Sequence, residues 1–364
     1  MVALRKITRK FCKSDRSGCL KATAFFYIHP TMIRLRFDFH FHVHVYHDRP
    51  SSASSSSPLL ADYFRHQIEQ VRGEGRFSTA SNYGTALRSF LRFMQGENLQ
   101  LKDLTLSLVA RYERWLKSRH IAMNTISCYL RSLRAVYNKA VEEKLVTDLQ
   151  PFKDSYTGYP RTDKRSIGVS EIRKLQDVSL REGSSLRLVR DIFLFCIFAC
   201  GIPFVDVAFL RKSQIDADGY LTYQRRKTNQ QIRLKLQPCA MEIVRRYESP
   251  DTDYVFPILT SARPEEAYRQ YRERLTRYNR QLKRLSRLAR ISGKLTSYVS
   301  RHSWASLAYD YQSDVSVISK GLGHTSSRTT YVYIKGIDDT RLDDANLRII
   351  KEITGKKVGT PYKR

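Results

Sequence analysis

Toward its C-terminus the chain gathers residue types able to handle a phosphoryl group. Arg301 and His302 are adjacent, Gly321-Leu322-Gly323-His324 follows, and then Thr329-Thr330-Tyr331-Val332-Tyr333, which puts Tyr333 nine positions after His324. A tyrosine hydroxyl ionises only near about pH 10, so as a nucleophile it needs neighbours that stabilise both the phenolate and the charge building on phosphorus. Arg301 can donate a bidentate fork to non-bridging oxygens, a preorganised electrostatic contribution of the kind that usually dominates. His324 can hydrogen-bond a phosphate or take a proton from the nucleophile. Tyr331 is a rival nucleophile, two residues nearer to His324. None of this chemistry needs a metal.

These side chains need a scaffold. Leu221 and Tyr223, then Ile232, Leu234 and Leu236, flank Thr228-Asn229-Gln230-Gln231 and predict a β-hairpin with Lys227 at its tip. Leu186–Ala199 is apolar nearly all round, which predicts a buried helix ended by Gly201, with Pro203 opening the next helix from Phe204 to Leu210. Ser170 is expected to cap a short helix before it. Glu265–Ile291 reads as a long basic helix with an apolar stripe through Tyr268, Tyr271, Leu275, Tyr278, Leu282 and Leu285, suited to a coiled coil or to packing on one core.

Further upstream, residues 151–168 lack either period and read as a linker. Residues 58–150 repeat apolar positions at helical steps, with Asn124 expected as an N-cap, and present Arg88, Arg92, Arg131, Arg134 and Lys139 to phosphates. Residues 1–57 read as a poorly ordered extension ending in a Ser-rich linker. Within it Phe37 to Val45 alternate with His40, His42 and His44, giving either an edge strand or, through the histidines, a metal face.

Lys and Arg number 64 against 35 Asp and Glu, for a net charge of +29, and residues 58–364 alone keep +22, so the folded body is built for a polyanionic partner. The cysteines, Cys12, Cys19, Cys128, Cys196, Cys200 and Cys239, contain no C-x-x-C pair, which argues for a reducing compartment and against structural zinc. The apolar stretch from Thr23 to Tyr46 is broken by Pro30, Arg34, Arg36 and Asp38 and falls short of a membrane span or a signal peptide. A cytoplasmic, nucleoid-associated protein is expected.

The order and spacing of Arg301-His302, Leu322-Gly323-His324 and Tyr333 resemble the tyrosine recombinase (phage integrase) family, over roughly Leu59 to the C-terminus. That resemblance implies a mainly α fold with a small β-sheet (α+β), in which a helical, SAM-like core-binding domain (58–150) precedes a catalytic domain (169–364). It implies a site-specific recombinase of integrase or invertase type, carried by a mobile genetic element and acting on double-stranded DNA as a homotetramer. The intermediate is a 3′-phosphotyrosyl linkage that conserves bond energy, so no cofactor and no small-molecule substrate is implied.

By the same resemblance Lys227 is the hairpin lysine that protonates the departing 5′ oxygen, and Asp206 is an acidic residue supporting the site. His302 would hold its helix in place. Tyr298 falls where many members carry a histidine; on one helical face with Arg301 it either reaches the phosphate or packs. The chain departs from the family at Pro203, in the slot of the first catalytic arginine. Arg190, Arg211, Arg225 or Arg226 could substitute, or the chain could be a weakened relative that binds DNA without cutting it. A type IB topoisomerase-like relaxing enzyme would use the same chemistry.

Overall fold

The computed structural model describes residues 57–158 and 166–331, with the side chains of 327 and 328 outside that description, together with the backbone of strands 22–28, 31–38 and 42–47 and the isolated residues 346 and 349. The strands β1 (Ala22–Ile28), β2 (Thr31–Asp38) and β3 (His42–His47) form an antiparallel sheet in that order. The alternating run from Phe37 to Val45 is therefore divided between β2 and β3, with Phe37 opposite Val43 and Asp38 opposite His42. Whether its histidines could hold a metal lies outside the described side chains, as do Cys12 and Cys19.

Four helices follow: α1 (Leu60–Gly73), α2 (Phe77–Phe93), α3 (Leu106–Ser118) and α4 (Met123–Glu142). Their apolar residues recur every three or four positions, and this stripe is what each helix buries. Thr105 caps α3 by accepting the Leu108 N–H at 3.3 Å. Asn124 lies inside the first turn of α4, which starts two residues earlier than a cap at 124 requires. The core is aromatic: Phe90 meets Tyr112 edge-on at 5.1 Å, and the buried Tyr112 hydroxyl is satisfied by Ser89 at 2.7 Å.

The described residues pack as two units, the first drawn from 1–66, 86–120 and 129–156 and the second from 67–85, 121–128 and 157–364. In the second unit α5 (Val169–Asp177) starts after Gly168, whose N–H donates to the Glu171 carboxylate at 3.1 Å. Ser170 thus lies inside the first turn, and the acidic side chain three residues into the helix takes over the capping expected of it. Next comes α6 (Ser185–Phe198), with Phe193, Phe195 and Cys196 wholly buried. Burial pushes the Cys196 thiol up to about 12, so it packs as a small hydrophobe.

Around α6 stand α5, α7 (Phe204–Ala208), α8 (Pro238–Arg246), α9 (Pro264–Leu288) and α10 (Val299–Asp310). The stripe on α9 packs on this core, since Tyr278, Leu282 and Leu285 are buried and the Tyr278 ring stacks on Phe204 at 4.2 Å. The antiparallel hairpin β4 (Tyr220–Gln224) and β5 (Gln231–Lys235) pairs Leu221 with Leu234 and Tyr223 with Ile232. The described chain continues through α11 (Val315–Leu322) and α12 (Ser327–Tyr331). Among the described residues no helix is long and apolar enough to cross a membrane.

Candidate active site

The site is organised by the end of α11. Gly323 takes a left-handed conformation (φ 61°, ψ 47°), its N–H donates to Lys320 O, and the His324 N–H donates back to Ser319 O at 3.0 Å, a Schellman-type termination. Such an end leaves terminal carbonyls in need of donors and carries the negative pole of the helix. Two guanidiniums answer that need: Arg225 Nη1 donates to Leu322 O at 2.6 Å and Arg301 Nη2 donates to the same oxygen at 2.5 Å. The Thr228 hydroxyl adds a bond to Gly323 O at 3.3 Å, which ties the hairpin turn to the helix end.

Arg301 is 1 % exposed. Its Nη1 donates to Gly201 O at 2.8 Å, a carbonyl presented by consecutive left-handed residues Cys200 (φ 56°) and Gly201 (φ 70°) after α6. A Cβ on Gly201 would come within 3.3 Å of the Arg301 Cα, so close approach as well as backbone conformation calls for glycine there. Arg301 Nη2 also lies 3.2 Å from His324 Nε2. A guanidinium has no lone pair to offer, so Nε2 accepts and Nδ1 carries the proton, which it donates to the Thr330 hydroxyl at 2.9 Å. Burial first, then Arg301, Arg225 and Lys227, lower the His324 pKa to about 4.

A cavity of about 230 Å³ opens beside this cluster, lined by Arg225, Lys227, Thr228, Tyr298, His324, Thr325 and Thr329. The hairpin turn, the start of α10 and the segment after α11 therefore converge on one place. Lys227 is exposed. Tyr298 precedes α10 rather than lying within it and is 46 % exposed, so its ring is not a core residue; it lies 6.1 Å from the half-buried His302 ring. Arg301 does not line the cavity, because both of its terminal nitrogens are engaged on protein acceptors. A larger cavity of about 540 Å³, bordered by Leu188, Phe204 and Tyr278, contains none of the expected site residues.

Asp206, on α7, is buried behind the hairpin. One carboxylate oxygen accepts the Arg226 N–H at 3.0 Å and the other accepts Arg225 Nε at 3.3 Å, so it fixes the turn through Arg225 and the backbone and leaves Lys227 untouched. Burial pushes its carboxyl above the ordinary carboxylate range, against the opposing pull of the Arg226 N–H and of Arg225.

The other arginines considered as substitutes for the one that the resemblance places at Pro203 go elsewhere. Arg190 is held by Asp191 and by the Gln176 and Val178 carbonyls. Arg211 lies over the Tyr254 ring and near Asp253, and Arg226 lies 3.9 Å over the Phe209 ring. Tyr333 is outside the described residues. Tyr331 is 57 % exposed on α12. Thr330, wholly buried and bonded to His324, had no role assigned from sequence, where the only signal was its place between the His and Tyr motifs.

On the first unit Arg88, Arg92 and Arg134 are exposed and Arg131 and Lys139 half-buried. On the second, the face of α9 carrying Arg277, Arg280, Arg284 and Arg287 adds a basic row that the sequence showed only as general basicity.

The chain belongs to the phage integrase, or tyrosine recombinase, family, whose members are enzymes that cleave and rejoin DNA strands. Residues 59–157 match the phage integrase SAM-like domain and residues 166–338 the phage integrase family domain. Among individual proteins, the chain is 23 % identical over 290 residues to the tyrosine recombinase XerD of Shewanella oneidensis, covering 75 % of this chain and 91 % of the relative. To XerC of Halalkalibacterium halodurans it is 24 % identical over 265 residues, 70 % of this chain and 86 % of the relative. The fold is shared with a lambda integrase dimer bound to a COC′ core site (TM-score 0.57, 16 % identity, 76 % of this chain and 95 % of that one). It is shared too with the Tn1549 transposon integrase in complex with a circular intermediate DNA (TM-score 0.57, 12 % identity, 80 % of this chain and 99 % of that one).

Proposed function

We propose that this chain is a site-specific recombinase that breaks and rejoins duplex DNA through Tyr333. The observation that carries the reading is the meeting of Lys227, Tyr298 and His324, from three separate stretches of sequence, around one cavity with Arg301 hydrogen-bonded to His324 beside it. Chain connectivity supports Tyr333 as the nucleophile: three residues span at most about 11 Å, so its Cα stays within that distance of Thr330, whose hydroxyl bonds His324.

In the proposed reaction the Tyr333 oxygen bonds to phosphorus as the bond to the 5′ oxygen breaks, and Lys227 supplies the proton that the 5′ oxygen takes up. A phosphate oxygen competing for Arg301 Nη2 would release His324 Nε2 to receive the phenol proton. Tyr298, open to the cavity, donates to the same phosphate, while His302 and Asp206 hold the walls. Arg88, Arg92, Arg131, Arg134 and Lys139 take duplex phosphates on the first unit, at the nucleoid. A solved lambda integrase tetramer bound to a Holliday junction (TM-score 0.55, 16 % identity) supports four protomers as the working assembly.

A nicked suicide duplex tests the reading, since loss of the short 5′ fragment traps the covalent intermediate. An SDS-resistant protein–DNA adduct absent in Tyr333→Phe is expected; wild-type protein that binds the duplex without any adduct would leave only a DNA-binding module.

A further inference from the structure

The proline at 203 leaves the reaction one guanidinium short of the family pattern, yet the cavity is already lined by an arginine other than Arg301. Arg225 is 5 % exposed, and its Nε and Nη1 are fixed on Asp206 and the Leu322 carbonyl. Among the described residues its Nη2 has no hydrogen-bond partner, while the side chain lines the cavity beside Lys227, Tyr298 and His324. Arg225 and Arg301 share one carbonyl acceptor, so two cations are held side by side. Like charges so placed repel each other. Asp206 offsets one of them; with Lys227 the cavity keeps an excess of positive charge. Such an arrangement is completed by an anion that gains charge during reaction, as a phosphodiester does on becoming a phosphorane.

We propose that Arg225 donates through Nη2 to a non-bridging oxygen of the scissile phosphate and supplies, from the hairpin, the charge missing at Pro203. The inference rests on the recombinase reading. It makes Arg225 a catalytic residue and Asp206 its positioning residue. No proton moves to or from Arg225: the phenol oxygen bonds to phosphorus, the bond to the 5′ oxygen breaks, and the guanidinium holds the charge between those events.

The test compares two suicide duplexes, one natural and one with a neutral methylphosphonate at the scissile position, with wild type, Arg225→Gln and Arg225→Lys. Arg225→Gln is expected to lose about 100- to 1,000-fold in adduct formation on the natural duplex, as removal of one charge-stabilising donor does elsewhere, and under about tenfold on the neutral one. Arg225→Lys, which keeps a charge near Asp206, is expected to lie between. The ratio of the two rates in one preparation is independent of how much protein is folded. Equal losses on both duplexes would overturn the proposal and leave Arg225 a scaffold residue. If instead wild type gives no Tyr333-dependent adduct on the natural duplex, the recombinase reading itself has failed.

Discussion

Replacing Asp206 by alanine should destabilise the second unit by about 3–5 kcal/mol, the usual cost of breaking a buried ion pair by removing one partner. The structure gives the components. Asp206 and Arg225 side chains are 1 % and 5 % exposed, so the substitution strands a buried cation. It also orphans the Arg226 N–H, at about 1–3 kcal/mol for an unsatisfied buried donor. Arg225 keeps its bond to Leu322 O, which puts the expected loss nearer 3 than 5. Because burial outweighs the attraction at Asp206, the pair as a whole stabilises little, and Asp206→Ala/Arg225→Met should recover most of the loss, to within about 1 kcal/mol of the parent. Trp115 and Trp304 are the only tryptophans, so Trp115→Phe makes Trp304 on α10 a sole reporter for urea unfolding of the second unit in the full chain. A loss below about 1 kcal/mol for Asp206→Ala, or a double variant as unstable as the sum of the singles, would refute this account.

Gly323→Ala should lower cleavage far more than DNA binding: its Cβ would lie 2.6 Å from Arg225 Cδ and 2.7 Å from Ile232 Cδ1, at a φ that itself costs about 1–2 kcal/mol. Adduct yield and duplex affinity measured side by side check this; parallel losses would contradict it. The His324 imidazole should titrate near 4 and move up in Lys227→Met, read by NMR with His324→Gln for assignment, and a midpoint at 6 or above would be the wrong outcome. With the folded pKa below the ordinary value of about 6.5, the unfolded chain binds more protons between those values, so this residue's contribution to stability declines as pH falls through that window. Duplex binding should weaken steeply with salt, by about 0.9 in logarithmic slope per phosphate contact, and a flat dependence in an affinity titration would count against phosphate binding.

The family was legible because its motifs are local: Arg301-His302, the Leu322-Gly323-His324 turn and the Tyr333 spacing all sit within one stretch of chain. The buried α6, the basic α9 and the hairpin with Lys227 near its tip were legible from periodicity and turn residues. What sequence left open was decided by long-range packing. Arg190, Arg211, Arg225 and Arg226 look alike in a string of letters, and only the approach of the hairpin to α11 distinguishes Arg225. Tyr298 was expected on a helix with Arg301, whereas α10 starts one residue later, a boundary that depends on cap geometry. Thr330 gained its role from a histidine tautomer that is set in turn by Arg301.

The Arg225 guanidinium that lines the cavity and the Arg301 guanidinium beside it are both anchored on the peptide oxygen of Leu322. An oxygen of that kind belongs to the main chain, so every side chain tolerated at 322 would preserve the anchor, and drift at that position would be silent for the chemistry as long as the helix still ends there. Vulnerability shifts to the neighbouring glycine and to the length of α11: an inserted or deleted residue would rotate the anchor away from both cations at once, and the two would fail together.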